Sequence, residues 1–379
     1  MNYAHENELL LSVARRDVTS VRPQLDWDYV VATARTHGLL PLLQKDIASF
    51  ALVPGHVRSR LKQETVSNTQ SMLHLVGKQL RIHKLFQEHG IPVAIFKGAL
   101  LAQMAYGEIS LRQAGDIDML IHRRDFAEVR LLLESLGYEM NPRLTTAQLA
   151  SHLSNHCEIQ FMRDEWFTVV DLHWDLAPRS FVFGLKADEV MSRLQSVSLA
   201  GTTVQTFGAE DLLLYQAMHG AKHLWRCVEW ISALAESVRA MPDVDWDTLI
   251  NRAASARATR MLALGLRLVE QFSDVPVPVV ASIDKDELMQ RMAAGIHAQI
   301  FNSLGYADST ETNLYNLRIM DRKRDALVSA LRSMFVPTLP DWQALALPSS
   351  LHPLYYAYRP LRLSKIYTRS FFHKLRSVL

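Results

Sequence analysis

The sequence predicts an α+β protein: a core built on a mixed β-sheet, flanked by N-terminal helices and followed by a C-terminal helical domain. Three observations predict it. Residues 1–90 and 208–335 carry apolar side chains at helical spacing. Strand-like runs are confined to 91–207, where Val93–Phe96, Asp116–Ile121, Glu158–Met162 and Phe167–Trp174 are short and apolar or alternating. Those runs show little strict βαβ order, which argues against a doubly wound parallel sheet. A chain of 379 residues has room for two or three domains with sizeable cores.

In the N-terminal region Leu9, Leu10, Val13 and Ala14 mark one amphipathic helix. Trp27, Val30, Val31 and Ala34 mark another, with Asp26 placed as its N-cap. A long polar helix spans Val57 to His89, and Gly90 and Pro92 stop it before the first strand. These helices read as packing scaffold in preference to a cover over a site.

The chemistry concentrates between Ile95 and Ile121. Val93–Phe96 reads as a buried strand, broken by Lys97-Gly98-Ala99 and followed by a helix from Leu100 to Tyr106. Asp116-Ile117-Asp118-Met119-Leu120-Ile121 alternates, so Asp116 and Asp118 present their carboxylates to one face. Two carboxylates that close repel unless a cation neutralises them, and hard divalent cations suit such oxygen sites. By the same periodicity Val169, Asp171 and His173 share one face of the strand that ends at Trp174. Glu158–Met162 pairs with that strand as a hairpin, with a turn over 163–166. His173 either supports Asp171 or simply packs.

Between and beyond these strands, 125–136 reads as an amphipathic helix, 138–140 as an edge strand and 145–153 as a short helix. Val197–Leu199 and Val204–Phe207 make a second small hairpin. The core domain is taken as 91–207, the helical domain as 208–335 and the tail as 336–379.

The helical domain opens with a helix from Asp211 to Arg226 on which His219, Lys222, His223 and Arg226 share one face. That stripe either faces phosphates or is a surface stripe with no role, and it suits zinc poorly, because Gly220 stands where a zinc protease helix would carry Glu. Further helices are expected over 246–258, 260–272, 285–304 and 317–335, with Val275-Pro276-Val277-Pro278 as a break. The segment Leu354–Leu379 is basic and aromatic with no Asp or Glu. It could lie peripherally on anionic lipid or touch RNA, but packing back on the protein is the preferred reading.

A net charge of +2 gives no global message about partners. Cys157 and Cys227 lie too far apart to suggest a disulfide framework or a zinc pattern, which fits a reducing, cytoplasmic setting. The sequence has no apolar run long enough to cross a membrane.

A strand, a glycine break, a helix and a strand carrying Asp-x-Asp, with a later acid at Asp171, resembles the core of the polymerase-beta-like nucleotidyltransferase superfamily. Lys97-Gly98, a following tyrosine, Arg112-x-x-x-Asp116-Ile-Asp118, Asp171-Leu-His-Trp and the His219-Gly-Ala-Lys-His segment are similar to one branch, a largely uncharacterised bacterial nucleotidyltransferase family. Abortive-infection toxin-type transferases are more distant relatives. The resemblance implies transfer of an NMP from an NTP, ATP foremost, to a hydroxyl of an unknown acceptor, with release of pyrophosphate. It further implies Mg2+ on Asp116, Asp118 and Asp171, which would be the catalytic residues, with Lys97, Gly98, Ala99, Arg112, His219, Lys222 and His223 around the nucleotide. A small molecule, sugar, peptide or protein is the expected acceptor. An RNA-directed transferase and a non-catalytic nucleotide-binding protein are the alternatives, with nucleic acid not favoured. Two departures stand out. The superfamily's second glycine or serine is Ala99 here, and Ala233 replaces an acid common in the family after Trp230.

Overall fold

The computed structural model describes residues 3–163, 168–277, 286–301 and 309–378. Four helices come first: α1 (Ala4–Arg15), α2 (Trp27–Thr36), α3 (Leu40–Ile47) and the 34-residue α4 (Gly55–Glu88). The Asp26 side chain accepts from the Tyr29 N–H, so α2 begins at its expected cap.

The sheet strands are β1 (Val93–Ile95), β2 (Asp116–Ile121), β3 (Glu139–Asn141), β4 (Glu158–Arg163) and β5 (Thr168–His173). Their order is β1-β2-β5-β4-β3. Only β2 and β5 run parallel; the other pairs are antiparallel, so the sheet is mixed. The expected hairpin is present, and its turn falls largely in 164–167, outside the described residues. Between strands lie α5 (Gly98–Tyr106), α6 (Phe126–Ser135) and α7 (Thr146–Asn155). A short α8 (Ala187–Met191) precedes the small hairpin of β6 (Gln195–Leu199) and β7 (Thr202–Thr206).

Pairing register separates two faces. Ile117, Met119 and Ile121 of β2, Val170 and Leu172 of β5, and Ile159 and Phe161 of β4 share one face and are buried with Met72, Phe86 and Leu133 of α4 and α6. Their burial drives this layer together. The opposite face carries Asp116, Asp118, Asp171, His173 and Glu158.

A helical region covers that polar face in part. It comprises α9 (Ala209–Lys222), α10 (Val228–Ala240), α11 (Trp246–Ser255), α12 (Thr259–Phe272), α13 (Glu287–Gln299), α14 (Ser309–Arg318), α15 (Lys323–Phe335), α16 (Leu339–Ala344) and α17 (Tyr355–Val378). Its apolar core is shared with α1–α3, so those helices serve as scaffold. The expected helix 285–304 is seen as α13; residues 285 and 302–304, and Pro278 of the expected break, lie outside the described residues.

Two helix expectations need correction. The run 317–335 is broken at 319–322, because Asp321 accepts from the Thr259 and Arg260 N–H groups and caps α12. The helix expected to reach Arg226 ends at Lys222. Leu224 and Trp225 take left-handed conformations at φ 61° and 50°. Trp225 then folds back over Gly220, where a Cβ would lie 2.3 Å from the indole ring. Burying Trp225 outweighs two strained backbone positions.

The start of the tail packs on the protein, as preferred. Arg359 donates from Nε and Nη2 to the Ser333 carbonyl of α15, at 3.0 and 2.8 Å, while within the tail Arg359 and Arg362 both pair with the buried Asp341, at 2.6 Å. Among the described residues no helix is long and apolar enough to cross a membrane.

Candidate active site

Period-two geometry puts the three acids on one face of the sheet, but the group close enough to share an ion is Asp118, Asp171 and His173, without Asp116. Asp118 is paired in register with Asp171 across the parallel β2–β5 ladder, and Asp116 lies two residues earlier on the same face. Ligand atoms of Asp118, Asp171 and His173 all lie within 4.8 Å of one another. Gly98 opens α5 at φ +58°, a conformation that glycine adopts at little cost. A Cβ there would sit 3.8 Å from the Asp116 carbonyl oxygen, so the start of α5 abuts the acid-bearing strand.

Charge is unevenly compensated. Asp118, only 3% exposed, accepts from Lys97 Nζ at 2.9 Å and from His173 Nε2 at 3.0 Å, both on Oδ1. Because a carboxylate only accepts, His173 carries its proton on Nε2. Burial opposes ionisation of Asp118, but Lys97 and His173 outweigh it and hold the carboxyl well below its ordinary range. Among the described residues Asp171 has no such partner. Burial and the Asp118 and Asp116 charges push it up to about 6. Burial and Asp118 also raise Asp116. Among the described residues, Asp171 Oδ1 is buried with no hydrogen-bond partner. An oxygen-rich cluster with an orphaned carboxylate oxygen fits a hard divalent cation.

The second layer holds residues that the sequence reading missed. Glu158 Oε2 lies 3.1 Å from His173 Nδ1, out of line for a hydrogen bond. Tyr215 and Phe96 flank Lys97, whose ammonium is 5.5 Å from each ring centroid. Glu158 could have been found from the hairpin register, which sets it opposite His173. His173 itself bonds Asp118, not Asp171 as one reading had it.

The basic residues expected at the nucleotide are differently engaged. Lys97 is committed to Asp118. Arg112 Nε donates to Glu229 Oε1 at 2.6 Å and Nη2 to Oε2 at 3.4 Å, so its fork is filled by a buried internal carboxylate. Arg112 and Ala233 line a small cavity of about 30 Å³ together with Lys97, Tyr215 and His219. The stripe His219, Lys222, His223 is not a row of three charges. Burial holds His219 well below its ordinary value, and burial and Lys222 bring His223 down to about 4. Both rings pack against Trp230 instead, His219 edge-on and His223 tilted, each with ring centroids 5.5 Å apart. His223 caps the end of α9 and Arg226 lies beyond the helix. Ala99 is buried in the first turn of α5.

The sequence profile of the family described as uncharacterised nucleotidyltransferase matches residues 23–274, about two thirds of the chain. The chain belongs to that family. No curated protein matches it. The solution structure of the antibiotic-resistance factor ANT(2'')-Ia superimposes at a TM-score of 0.28 with 16% identity, covering 61% of this chain and 98% of that one. Membership makes the chain a nucleotidyltransferase by class, and the matched stretch contains all the acids of the cluster.

Proposed function

We propose that the protein moves an NMP from an NTP, ATP in the first instance, to a hydroxyl of an acceptor and releases pyrophosphate. The observation that carries this is the convergence of Asp116, Asp118 and Asp171 on one sheet face beside the glycine turn that opens α5. Asp116, Asp118 and Asp171 would hold magnesium, which supplies charge neutralisation of the triphosphate and a lower pKa for the acceptor hydroxyl.

The chain's own residues do the positioning. Gly98 admits phosphate close to backbone N–H groups at the start of α5. His173 holds Asp118 in one orientation, and Glu158 sets the charge behind the ring. Lys97 serves Asp118 as counter-ion and lies beside the glycine turn, where it can transfer its charge to phosphate oxygens. Arg112 acts indirectly, by anchoring to Glu229 the segment that leads into β2.

The test is incubation of purified protein with each labelled NTP, magnesium and fractionated cell extract. Label should enter one fraction with wild type and none with Asp171→Asn. Equal labelling by that variant would place the chemistry elsewhere.

A further inference from the structure

We propose that the outer face of α15 docks the protein on the surface of an anionic lipid bilayer. This surface is independent of the transferase chemistry. α15 is amphipathic with its faces reversed. Its buried residues are Asp325 and Ser329, one turn apart. Asp325 pairs with Arg257 at 3.0 Å, Ser329 Oγ donates to the Ser180 carbonyl, and Arg332 Nη1 donates to the Arg179 carbonyl at 2.9 Å. The helix thus meets the protein through polar groups. Leu327, Leu331, Met334 and Phe335 follow the spacing of one helical stripe, and all four are between 42% and 59% exposed. In a surface helix such a stripe ordinarily faces the core.

The charges at the start of α15 select the partner. Arg322, Lys323 and Arg324 are exposed, and among the described residues none is in an ion pair. Cations at a helix N-terminus oppose its dipole, so these three do not stabilise α15 itself. Lys323 precedes Leu327 by four positions and Arg324 precedes Leu331 by seven, so both edge the apolar stripe. α17 lies alongside, with Arg359 donating to the Ser333 carbonyl of α15, and it exposes Leu361, Lys365 and Ile366. From residue 342 to 379 the sequence has no Asp or Glu.

An anionic membrane surface matches both halves of this pattern. Aliphatic side chains enter the boundary between headgroups and acyl chains, while cations at their edge meet the lipid phosphates and carboxylates. RNA would satisfy the cations alone, because its bases stack on aromatic rings and the stripe offers only Phe335. A second copy seated on the same stripe would cover the leucines but bring no acid, since the stripe and the sequence after Asp341 have none. Its cations would then lose water without a counter-charge.

The test is co-sedimentation of the full chain with vesicles of phosphatidylcholine alone and of equal parts phosphatidylcholine and phosphatidylserine. Wild type should bind the mixed vesicles at least about tenfold more tightly than the neutral ones. Leu331→Asp and Leu327→Gln should each weaken that binding at least about tenfold with unchanged melting temperatures, because both side chains are exposed. Arg322→Gln, Lys323→Gln and Arg324→Gln together should weaken it about a hundredfold. No binding to mixed vesicles overturns the proposal, and equal binding to both kinds overturns the anionic class. Undiminished binding by the leucine variants removes α15 from the contact. Lowered melts in both leucine variants would show a face covered by the chain itself, not by lipid. A dimer in sedimentation equilibrium that Leu331→Asp dissociates would assign the stripe to a second copy instead. A uridine oligonucleotide that displaces the vesicles and binds wild type and Leu331→Asp alike would assign the cations to RNA instead.

Discussion

Lys97 Nζ lies 2.9 Å from Asp118 Oδ1, on the same oxygen that His173 Nε2 holds at 3.0 Å. A lysine from the glycine turn thus neutralises the most deeply buried acid of the cluster. Lys97→Met should cost the metal-free protein about 3 kcal/mol, because the buried carboxylate keeps only the His173 hydrogen bond and loses its counter-ion. Magnesium should return part of that loss, and the rise in melting temperature on adding it should exceed that of wild type. Identical melts with and without magnesium in both proteins would refute this role.

The carboxylate whose neutralisation relieves repulsion is Asp171, not Asp118. Asp171→Asn should leave the metal-free fold at least as stable as wild type at pH 7, while transfer falls by two orders of magnitude or about that. Asp118→Asn should also abolish transfer but lower the melting temperature, since Lys97 and His173 lose a charged partner. Urea melts beside the labelled-NTP assay read both effects.

The same carboxyl sets a pH dependence. Folding raises Asp171 from 3.8 to about 6, so the folded state favours its neutral form. Its contribution to stability is full below about pH 4 and is lost as pH rises through about 6. Magnesium binding needs the ionised form, so affinity should fall as pH drops below 6 and should level off above about 7. Magnesium titrations from pH 5 to 8 check this, and a flat profile would contradict it.

Gly98 holds φ at +58°, where an L side chain is strained. Gly98→Ala should cost about 1–2 kcal/mol of stability and weaken ATP binding, measured by melting and by nucleotide titration. A variant of unchanged affinity would separate the glycine turn from the phosphates.

Arg112 and Glu229 form a buried pair, so Glu229→Ala should destabilise by about 3–5 kcal/mol. His223→Ala should leave the ionic-strength dependence of ATP binding unchanged, because the ring titrates at about 4. A steeper or shallower salt dependence in that variant would show that the ring is charged at the site.

The sheet and its acids were legible because alternation is a local property. Once β2 and β5 are strands, residues two apart share a face, so Asp116 and Asp118 could be read together, and Asp171 with His173. Hairpin register was legible for the same reason, as was the Asp26 cap of α2. The partners of charged residues were not legible. Arg112 meets Glu229 across 117 positions and Lys97 meets Asp118 across 21, and nothing local ranks these acids above a phosphate. Nor did spacing reveal that burial discharges His219 and His223, or that Trp225 turns back over Gly220 and ends the helix. Periodicity states which way a side chain points from its own element. Which charge or ring waits there is decided by distant elements packed around one core, because desolvation and pairing energies depend on that full surrounding.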